Sequence, residues 1–528
     1  MNIGAQTLSD IMLMYSTTIH QQHNTITEQE RKIIALEQEV DRLKELMASQ
    51  LQGRFGKSSE SKADNTHDNE AKEGEAQVQS IVVAAHRRKK KKNKKSRFEG
   101  TEHLPVLQKI YDLPEDQQRC QTCQEGLHFV KNHITKQLEI IPLKYCIVEH
   151  IQLIYGCRGC CNIVSATKPQ PPIPKAIAGA SLLTDVIIKK YQDHQPLYRQ
   201  AKAMKRDDLT MPTHTLGHWV IKAGTALLPL YEAMWTILKQ PYLQVDETPV
   251  KLLEPNKKGY LWTYYAPHIG NHRGLVAFEL SETRGGDVAN ERLKDFRGLL
   301  QTDGYAGYQA LRRRDGITGM GCFTHARRKF KNVVTISKDT DGIAATMLKK
   351  LEPLYALERR MKDNNLSFHT KKRLRQKIAR PITKDIYAWL RSLKTKVFPK
   401  SQLGQAIQYT LNQWPYLVAY LRHGMADIDT NDVENKIREI ALGKKNWLFI
   451  GNKDTGKIHA AFYSLILSCV LNNLNARVYI HYVLTKVHDI RRGIIDPATI
   501  LPHTIDTNIL NEFAKEQIEL AKKVFDSS

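Results

Sequence analysis

Two stretches, LQVDETPV at residues 243–250 and LQTDGYAGY at residues 300–308, decide the fold prediction. In each stretch apolar residues lead to an aspartate, Asp246 in the first and Asp303 in the second. A carboxylate at the end of an apolar strand is costly to bury unless it is paired or binds a metal ion. Two such strand ends in one sheet can lie side by side, where carboxylate oxygens suit Mg²⁺ or Mn²⁺. Taken alone, each aspartate is more simply interpreted as a turn or cap residue.

The sequence around these aspartates predicts a mixed α/β domain. PYLQVDETPVKLL, KGYLWTYYAPH and GLVAFELSETR have the composition of three consecutive strands, residues 286–296 have a helical pattern, and GLLQTDGYAGY predicts a further strand. We assign residues 241–334 and 426–452 to this domain. Residues 335–425 are predicted to be a helical insertion, and residues 453–528 a helical C-terminal region.

Composition points to a nucleic-acid partner. The chain has 528 residues, with 79 Lys and Arg against 55 Asp and Glu, and a formal net charge of +24. The length predicts about three or four domains, and the cationic excess favours a polyanionic partner. The longest apolar run, Ala460–Leu471, contains two serines and is shorter than the ~20 residues that span a bilayer. We therefore expect neither a membrane segment nor export.

The N-terminal region predicts self-association. Within residues 20–50, apolar residues recur seven apart from Ile26 to Met47, with Leu36 and Leu43 at the intervening positions. About three heptads support a short coiled coil, and hence a homo-oligomer. The alternative is a helix that packs on its own domain, since three heptads is near the lower limit for a coiled coil.

Residues 51–103 are predicted to be a disordered linker with a basic arm. Residues 57–77 contain no Val, Ile, Leu, Met, Phe, Trp or Tyr and cannot form a core. The arm is a run of cations that suits nonspecific phosphate binding. Its members are Arg87, Arg88, Lys89, Lys90, Lys91, Lys92, Lys94 and Lys95, followed by Arg97. A solvated tail and a nuclear-import signal have the same appearance in sequence.

Residues 104–165 are predicted to form a zinc ribbon. Cys120 and Cys123 form one Cys-x-x-Cys pair, and Cys157 and Cys160 form a second. Two turns that each present two thiolates give a closed tetrahedral zinc site with a structural role. The sequence leaves open whether Cys161 replaces Cys160, and a pair of disulfides is the competing interpretation. The segment KYCIVEHIQLIYG between the pairs alternates like a strand, and the three unpaired cysteines, Cys146, Cys322 and Cys469, are predicted to be buried.

Residues 176–240 are predicted to be helical. Three short helices with basic residues would suit a helix-turn-helix DNA-binding region. A purely structural helical bundle fits the same pattern.

At this point the chain resembles bacterial insertion-sequence transposases of the IS66 type. The motifs that carry the resemblance are LQVDETPV, LQTDGYAGY, THARRKF at 324–330 and IDTNDVENKIREIALGKKNWLFIGN at 428–452. LQGRFGKSSE, the double Cys pair, PLYRQ and AAFYSLILSCVLNNLNARVYI match as well, in the expected order. The resemblance thus spans most of the chain.

The resemblance implies a multidomain α+β protein with a ribonuclease-H-like catalytic domain of the DDE group. It implies that Asp246, Asp303 and Glu434 are the catalytic carboxylates and hold Mg²⁺ or Mn²⁺. It also implies cleavage at the ends of an insertion sequence, joining to target DNA, and accessory proteins encoded nearby. The location would be the bacterial cytoplasm, with the nucleoid. The chain departs from the family pattern around the third carboxylate, at Thr430, Asn431 and Asn435.

Further cations near these motifs are candidates for DNA contact. Arg327 and Arg328 precede the sequence KF, and Lys444 and Lys445 precede NW. Each of these cations could contact a DNA phosphate or simply lie on a solvent-exposed face. His325 could lie near the carboxylates or have a structural role.

Two other functions are compatible with parts of this pattern. A noncatalytic DNA-binding regulator would use only the basic arm, the helices and the ribbon. Another ribonuclease-H-like nuclease, such as a junction resolvase, would need only the carboxylates. Three acids in motif context argue against the first, and the long N-terminal half argues against the second.

The zinc prediction is testable on the purified protein. About one zinc ion per chain should copurify, and Cys120→Ser should release it and destabilise the ribbon, because a four-thiolate site needs every ligand. Metal analysis and thermal unfolding measure both effects. Full thermal stability after zinc removal would contradict the prediction, and a thiol count under denaturing conditions would reveal disulfides instead.

Overall fold

The structure, a computed structural model, describes six parts of the chain. They are residues 145–148, 150, 154–156, 163–165, 170–253 and 258–526. The predicted coiled coil, linker, basic arm and all four predicted zinc ligands lie outside these residues.

The strands and helices of the described residues follow in chain order. The strands are β1 (Ile154–Gly156), β2 (Ile163–Ser165), β3 (Tyr242–Lys251), β4 (Lys258–Ala266), β5 (Leu275–Ser281), β6 (Gly298–Gln301) and β7 (Ile317–Met320). The α-helices are α1 (Ala180–Tyr191), α2 (Leu197–Arg206), α3 (Thr213–Ala233), α4 (Gly286–Arg292), α5 (Gln309–Arg312), α6 (Phe323–Ser337), α7 (Ile343–Asp363), α8 (Phe368–Leu374), α9 (Arg380–Leu393), α10 (Gln402–Leu417), α11 (Asn431–Trp447), α12 (Lys453–Leu471), α13 (Ala476–Thr485), α14 (Val487–Arg491) and α15 (Thr507–Asp526).

A five-stranded mixed sheet lies at the centre, in the order β5-β4-β3-β6-β7. The first three strands along the chain pair antiparallel, whereas β6 pairs parallel with β3 and β7 parallel with β6. In the parallel pairing Gln244 stands opposite Gln301. The predicted α+β class is confirmed, since helices make up most of the rest of the described chain.

Helix α12 covers the edge strand β5. Ser464 Oγ accepts a hydrogen bond from the backbone N–H of Phe278 at 2.9 Å. Ser468 Oγ both accepts from the N–H of Val276, at 3.1 Å, and donates to its carbonyl, at 3.0 Å. These are the two serines that interrupt the long apolar run, and they satisfy backbone groups that an exposed edge would offer to another chain.

Two apolar cores flank the sheet. The larger core joins the sheet to α1, α3, α12 and α13 through residues such as Leu227, Phe278 and Phe462. The second core holds α6, α7, α9 and α10 together around Phe323, Leu351 and other buried side chains.

A buried polar network ties the sheet to the start of α11. Gln244 Nε2 donates to Tyr242 Oη at 2.8 Å and lies 3.4 Å from Asp427 Oδ2. Gln244 Oε1 accepts from the backbone N–H of Val433 at 3.2 Å. Gln301 Nε2 donates to the backbone carbonyl of Asp427 at 2.9 Å. Because buried polar groups are costly to leave unpaired, this network holds α11 in one position against β3 and β6.

Four local features of the structure differ from the sequence-based predictions. Strand β7 was not predicted, since a four-residue strand containing Gly319 gives too weak a pattern. The helix predicted over 286–296 ends at Arg292, where Leu293 leaves the helical conformation and Phe296 turns into the core.

The prediction that Cys146 is buried is wrong: Cys146 is exposed, whereas Cys322 and Cys469 are buried as predicted. Residues 145–148, which include Cys146, do not form the predicted strand, because they have no sheet partner. Ile147, next to Cys146, is exposed as well. Strand β1 begins only at Ile154 and pairs antiparallel with β2. The stretch with Cys157 and Cys160 runs between those two strands and lies outside the described residues.

A search of the described helices finds none with the length and apolar character needed to cross a membrane.

The network generates a prediction about pH. Burial raises the pKa of the Asp427 carboxyl to about 7, with a smaller contribution from Asp432. The folded state therefore holds a proton that the unfolded state releases near pH 4, so this group's stabilisation is lost as pH rises towards 7. The side chain of Asp427→Asn stays neutral at every pH. Between about pH 5 and pH 8, the free energy of unfolding of this variant should therefore fall by about 2 kcal/mol less than that of the parent. Chemical unfolding at both pH values measures the difference, and equal losses in the two proteins would contradict it.

Candidate active site

Asp246 and Asp303 lie side by side at one end of the sheet. Asp246 lies in the middle of β3, two residues beyond Gln244, and not at the strand end as predicted, because β3 continues its pairing with β4 as far as Lys251. Asp303 lies two residues beyond Gln301, the last residue of β6. The two glutamines are partners in the parallel register. Because strand side chains alternate with a period of two, the two carboxylates share one face and one edge.

Glu434 comes to this edge from the first turn of α11. The backbone N–H of Glu434 donates to the carbonyl of Thr430 at 3.1 Å. Arg328 Nη2, from α6, donates to Glu434 Oε2 at 2.9 Å, and His325 Nδ1 lies 3.7 Å from Glu434 Oε1. Acids in the first turn are also favoured by the helix dipole.

The electrostatics of Asp246 reflect the nearby charges of Asp303 and Glu434. Burial raises the pKa of the Asp246 carboxyl well above its usual value, and the charges of Glu247, Asp303 and Glu434 raise it further. The N–H of Glu247 donates to Asp246 Oδ1 at 2.8 Å and opposes the rise. Like charges held this close favour a bound proton or a bound cation.

Glu247, beside Asp246, is neutralised on the other face of the strand. Arg284 Nε donates to Glu247 Oε1 at 2.7 Å, and Tyr308 Oη donates to Glu247 Oε2 at 2.6 Å. A buried carboxylate that is paired in this way is not available as a metal ligand. The site therefore uses only the first acid of the Asp-Glu pair.

The turn that carries Asp303 is held by Arg312, which the sequence analysis did not single out. Its guanidinium donates to the carbonyl of Thr302 at 2.7 Å and to Thr302 Oγ1 at 2.9 Å, and it contacts the carbonyl of Asp303. The N–H of Tyr305 donates to Asp303 Oδ1 at 2.9 Å. Arg312 is buried, so these bonds restrict the turn to one conformation. A single arginine in the run LRRRD gives no signal of this role.

A cleft of about 350 Å³ opens beside Asp303. Its lining combines cations and aromatic rings. The lining residues include Arg284, Tyr305, Arg328, Lys329 and Tyr409. Lys329 Nζ lies 4.6 Å from the centre of the Tyr409 ring, and the Arg284 guanidinium lies 4.2 Å from that of Tyr305. Such a lining suits a phosphate and a flat base.

The donor set fits a divalent cation. Three carboxylates supply only oxygen ligands, the kind that Mg²⁺ and Mn²⁺ prefer. Glu434 Oε1 is buried and has no hydrogen-bond partner, so one ligand atom is unoccupied by protein.

Among the described residues, the group of three potential ligands with atoms within 4.8 Å of one another is Cys322, His325 and Glu434, whereas the three carboxylates are spaced more widely. This cluster suits a metal less well, because burial raises the pKa of the Cys322 thiol to about 12 and keeps it protonated. Burial also lowers the pKa of His325, so its imidazole is neutral at neutral pH.

The other predicted DNA-contact residues have different surroundings. Arg327 packs 5.9 Å from the centre of the Tyr355 ring, and Arg328 pairs with Glu434. Lys444 Nζ donates to the carbonyl of Pro249 at 3.1 Å, while Lys445 is exposed. The basic arm, Arg87 to Lys95, lies outside the described residues.

Two acids compete with Glu434 for the third place. Glu439 lies on another side of α11, where its Oε2 is 3.3 Å from His194 Nε2. Glu352 is exposed on α7 in the helical region. Neither carboxylate is among the charges that raise the pKa of Asp246.

Comparison with known families identifies the family of this chain. A family model described as "Transposase IS66 family" matches residues 175–458, more than half of the chain and a span that includes all three carboxylates. The chain therefore belongs to the IS66 transposase family, and it is a DNA-binding transposase of an insertion sequence. A second model, "Transposase C of IS166 homeodomain", matches residues 42–108, which lie outside the described residues.

Curated relatives cover most of the chain. The "Uncharacterized protein y4jD" of Sinorhizobium fredii is 30% identical over 416 residues, which is 76% of this chain and 80% of the relative. The "Uncharacterized protein y4hP" of the same organism is 27% identical, over 70% of each chain. A third, "Uncharacterized protein y4qI", is 27% identical over 79% of each chain.

The carboxylate cluster predicts a response to metal. Mg²⁺ or Mn²⁺ should raise the free energy of unfolding by about 2.7 kcal/mol at a concentration a hundred times Kd, and with it the thermal midpoint, because a ligand that binds only the folded state stabilises it. Asp303→Asn should lose most of this response, whereas the exposed Asp315→Asn should keep it. Differential scanning calorimetry measures the rise of the thermal midpoint on addition of the cation. An equal rise in the two variants would show that the cation binds elsewhere.

Proposed function

We propose that this transposase cleaves DNA at the ends of its insertion sequence and joins them to target DNA, with Asp246, Asp303 and Glu434 as the catalytic carboxylates. The observation that carries the proposal is the convergence of three acids: Asp246 and Asp303 each lie two residues beyond the paired positions Gln244 and Gln301, and Glu434 lies in the first turn of the helix that Gln244 binds. The charges of Asp303 and Glu434 both raise the pKa of Asp246. The strand order, three antiparallel strands followed by two parallel ones, supports a ribonuclease-H-like catalytic domain.

The side chains around the carboxylates suit phosphodiester chemistry. Asp246, Asp303 and Glu434 would hold Mg²⁺ or Mn²⁺. Two such ions activate an attacking oxygen and stabilise the leaving oxygen. Arg284 and Lys329 offer positive charge to the phosphates on either side of the scissile bond. Arg328 is held by Glu434 in the structure and would gain freedom to contact a phosphate once Glu434 binds a cation.

The remaining parts of the proposal concern partners. We infer that the DNA substrates are the element ends and the target, which places the protein in the bacterial cytoplasm, at the nucleoid. Homo-oligomerisation through the predicted coiled coil, accessory proteins from the same element and a structural Zn²⁺ in the predicted ribbon complete this account.

Substitution of the third carboxylate tests the function. Glu434→Gln should reduce strand cleavage by at least a thousandfold with matched element ends and Mg²⁺, a loss of about 4 kcal/mol of transition-state stabilisation, because the amide cannot replace a charged ligand. Folding and DNA binding should stay near the parental level. Cleavage and joining on a labelled duplex measure the effect.

Glu439→Gln and Glu352→Gln are matched controls that remove the same charge from the neighbouring surface of α11 and from α7. Both should cleave almost as well as the parent. Near-parental cleavage by Glu434→Gln would show that the third ligand is another acid.

A further inference from the structure

Helix α11 runs along β3 in the same direction, from the carboxylates to the far end of the strand. At its start the N–H of Val433 is bonded to Gln244, and beyond its end Ile450 pairs with Leu252 in a parallel bridge. Fourteen helical residues separate Glu434 from Leu448, a rise of about 21 Å. Seven extended residues separate Asp246 from Leu253, about 23 Å. Both routes place the end of the helix about 20 Å from the cleavage centre.

The exposed face of α11 carries no acid. Its exposed residues follow helical spacing and form one continuous stripe, which we call the α11 stripe. The stripe consists of Asn431, Asn435, Arg438, Leu442 and Lys445. It begins beside Glu434 and leads to the turn after Trp447. A stripe of amide and cationic side chains suits the backbone of a DNA duplex that passes along the helix.

The turn at the end of the stripe presents two apolar side chains to solvent. Leu448 is 64% exposed and Phe449 is exposed beside it, and Leu253 from the end of β3 is 62% exposed. On either side of the turn, Trp447 and Ile450 are buried and anchor it to the core. We call Leu448 and Phe449 the apolar tip.

The backbone of the apolar tip is in a conformation that leucine seldom adopts. Leu448 has φ +68° and ψ −45°, and the N–H of Phe449 donates to the carbonyl of Trp447 at 2.9 Å. This is a γ-turn with positive φ at its centre, which is rare and strained for any residue except glycine. Burial of the leucine side chain does not offset the strain, since the side chain faces solvent. Strain held without a packing benefit points to a functional contact.

The charges around the apolar tip are mainly positive. Lys251 and Lys258, which are partners across β3 and β4, are exposed, as are Lys445 and Lys453. Asp454 is an exposed acid at the start of the next helix. Apolar side chains surrounded by cations are typical of proteins that insert a wedge between base pairs while binding the phosphates on either side.

We propose that the apolar tip inserts Leu448, supported by Phe449, between base pairs of duplex DNA about six base pairs from the scissile phosphate. The spacing follows from the distance of about 20 Å and a rise of 3.4 Å per base pair. The α11 stripe guides the duplex from the carboxylates to the tip. This inference rests on the proposed function, because the distance is counted from the cleavage centre.

The test places 2-aminopurine, whose fluorescence rises on unstacking, at successive positions in an element-end duplex. Fluorescence is measured with the full-length protein in EDTA, so that no cleavage occurs. We expect a several-fold rise at about six base pairs from the cleavage position and no rise at about ten, because unstacking is confined to the step that receives the wedge. Cleavage of the same duplex is then measured with Mg²⁺.

Leu448→Gly is the decisive variant, because glycine accepts the backbone conformation and removes only the side chain. Its thermal midpoint should equal or exceed that of the parent, and the fluorescence rise should disappear. Ile494→Ser, at an apolar residue that is 61% exposed outside the tip, should behave like the parent. A rise that persists in Leu448→Gly would overturn the proposal.

Three further outcomes separate this inference from others. If the parent cleaves the duplex but gives no fluorescence rise, the wedge is wrong and the proposed function stands. If the rise appears without any cleavage, insertion of Leu448 into DNA stands, whereas the proposed function fails and with it the spacing of six base pairs from a scissile phosphate. If Leu448→Gly alters only the sedimentation of the protein and leaves the DNA signal unchanged, the tip is a protein interface and the proposal is wrong.

Discussion

The side-chain amide of Gln244 joins the strand that carries Asp246 to the helix that carries Glu434. Its oxygen accepts from the backbone of α11, and its nitrogen lies among Tyr242, Gln301 and the 427–429 segment. These groups are buried, so each bond that is lost would leave an unpaired polar atom at a cost of about 1–3 kcal/mol. A carboxylate cluster needs such a restraint, since three like charges repel one another unless a cation is bound.

Much of the sheet could be predicted from the sequence, because its strands are apolar runs that end in polar or glycine-rich turns. The placement of Asp303 just beyond a strand end follows from the same pattern, whereas Asp246 lies in the middle of its strand and not at the predicted end. Gln244 and Gln301 also left a signal that the sequence analysis did not use. Each is a polar residue inside an apolar strand, two residues before an aspartate, and this spacing puts it on the same face as that aspartate.

Other parts of the site could not be predicted, because they depend on contacts between residues distant in sequence. Arg312 supports the Asp303 turn, and Arg328 pairs with Glu434 across 106 positions. No local pattern distinguishes these arginines from those on solvated faces. Cys146 shows the opposite error: as an unpaired cysteine it was predicted to be buried, but it is exposed, within residues 145–148 that have no sheet partner. Likewise Glu434 as the third acid came from family resemblance, and only the fold shows how α11 brings it to the sheet.

Anomalous diffraction from crystals soaked in Mn²⁺ tests the central claim most directly, namely that one restrained site contains all three carboxylates. The account predicts manganese between Asp246 and Asp303, with Glu434 as a further ligand and Arg328 released from it. Manganese bound instead by Cys322, His325 and Glu434, with none between the two aspartates, would contradict the account.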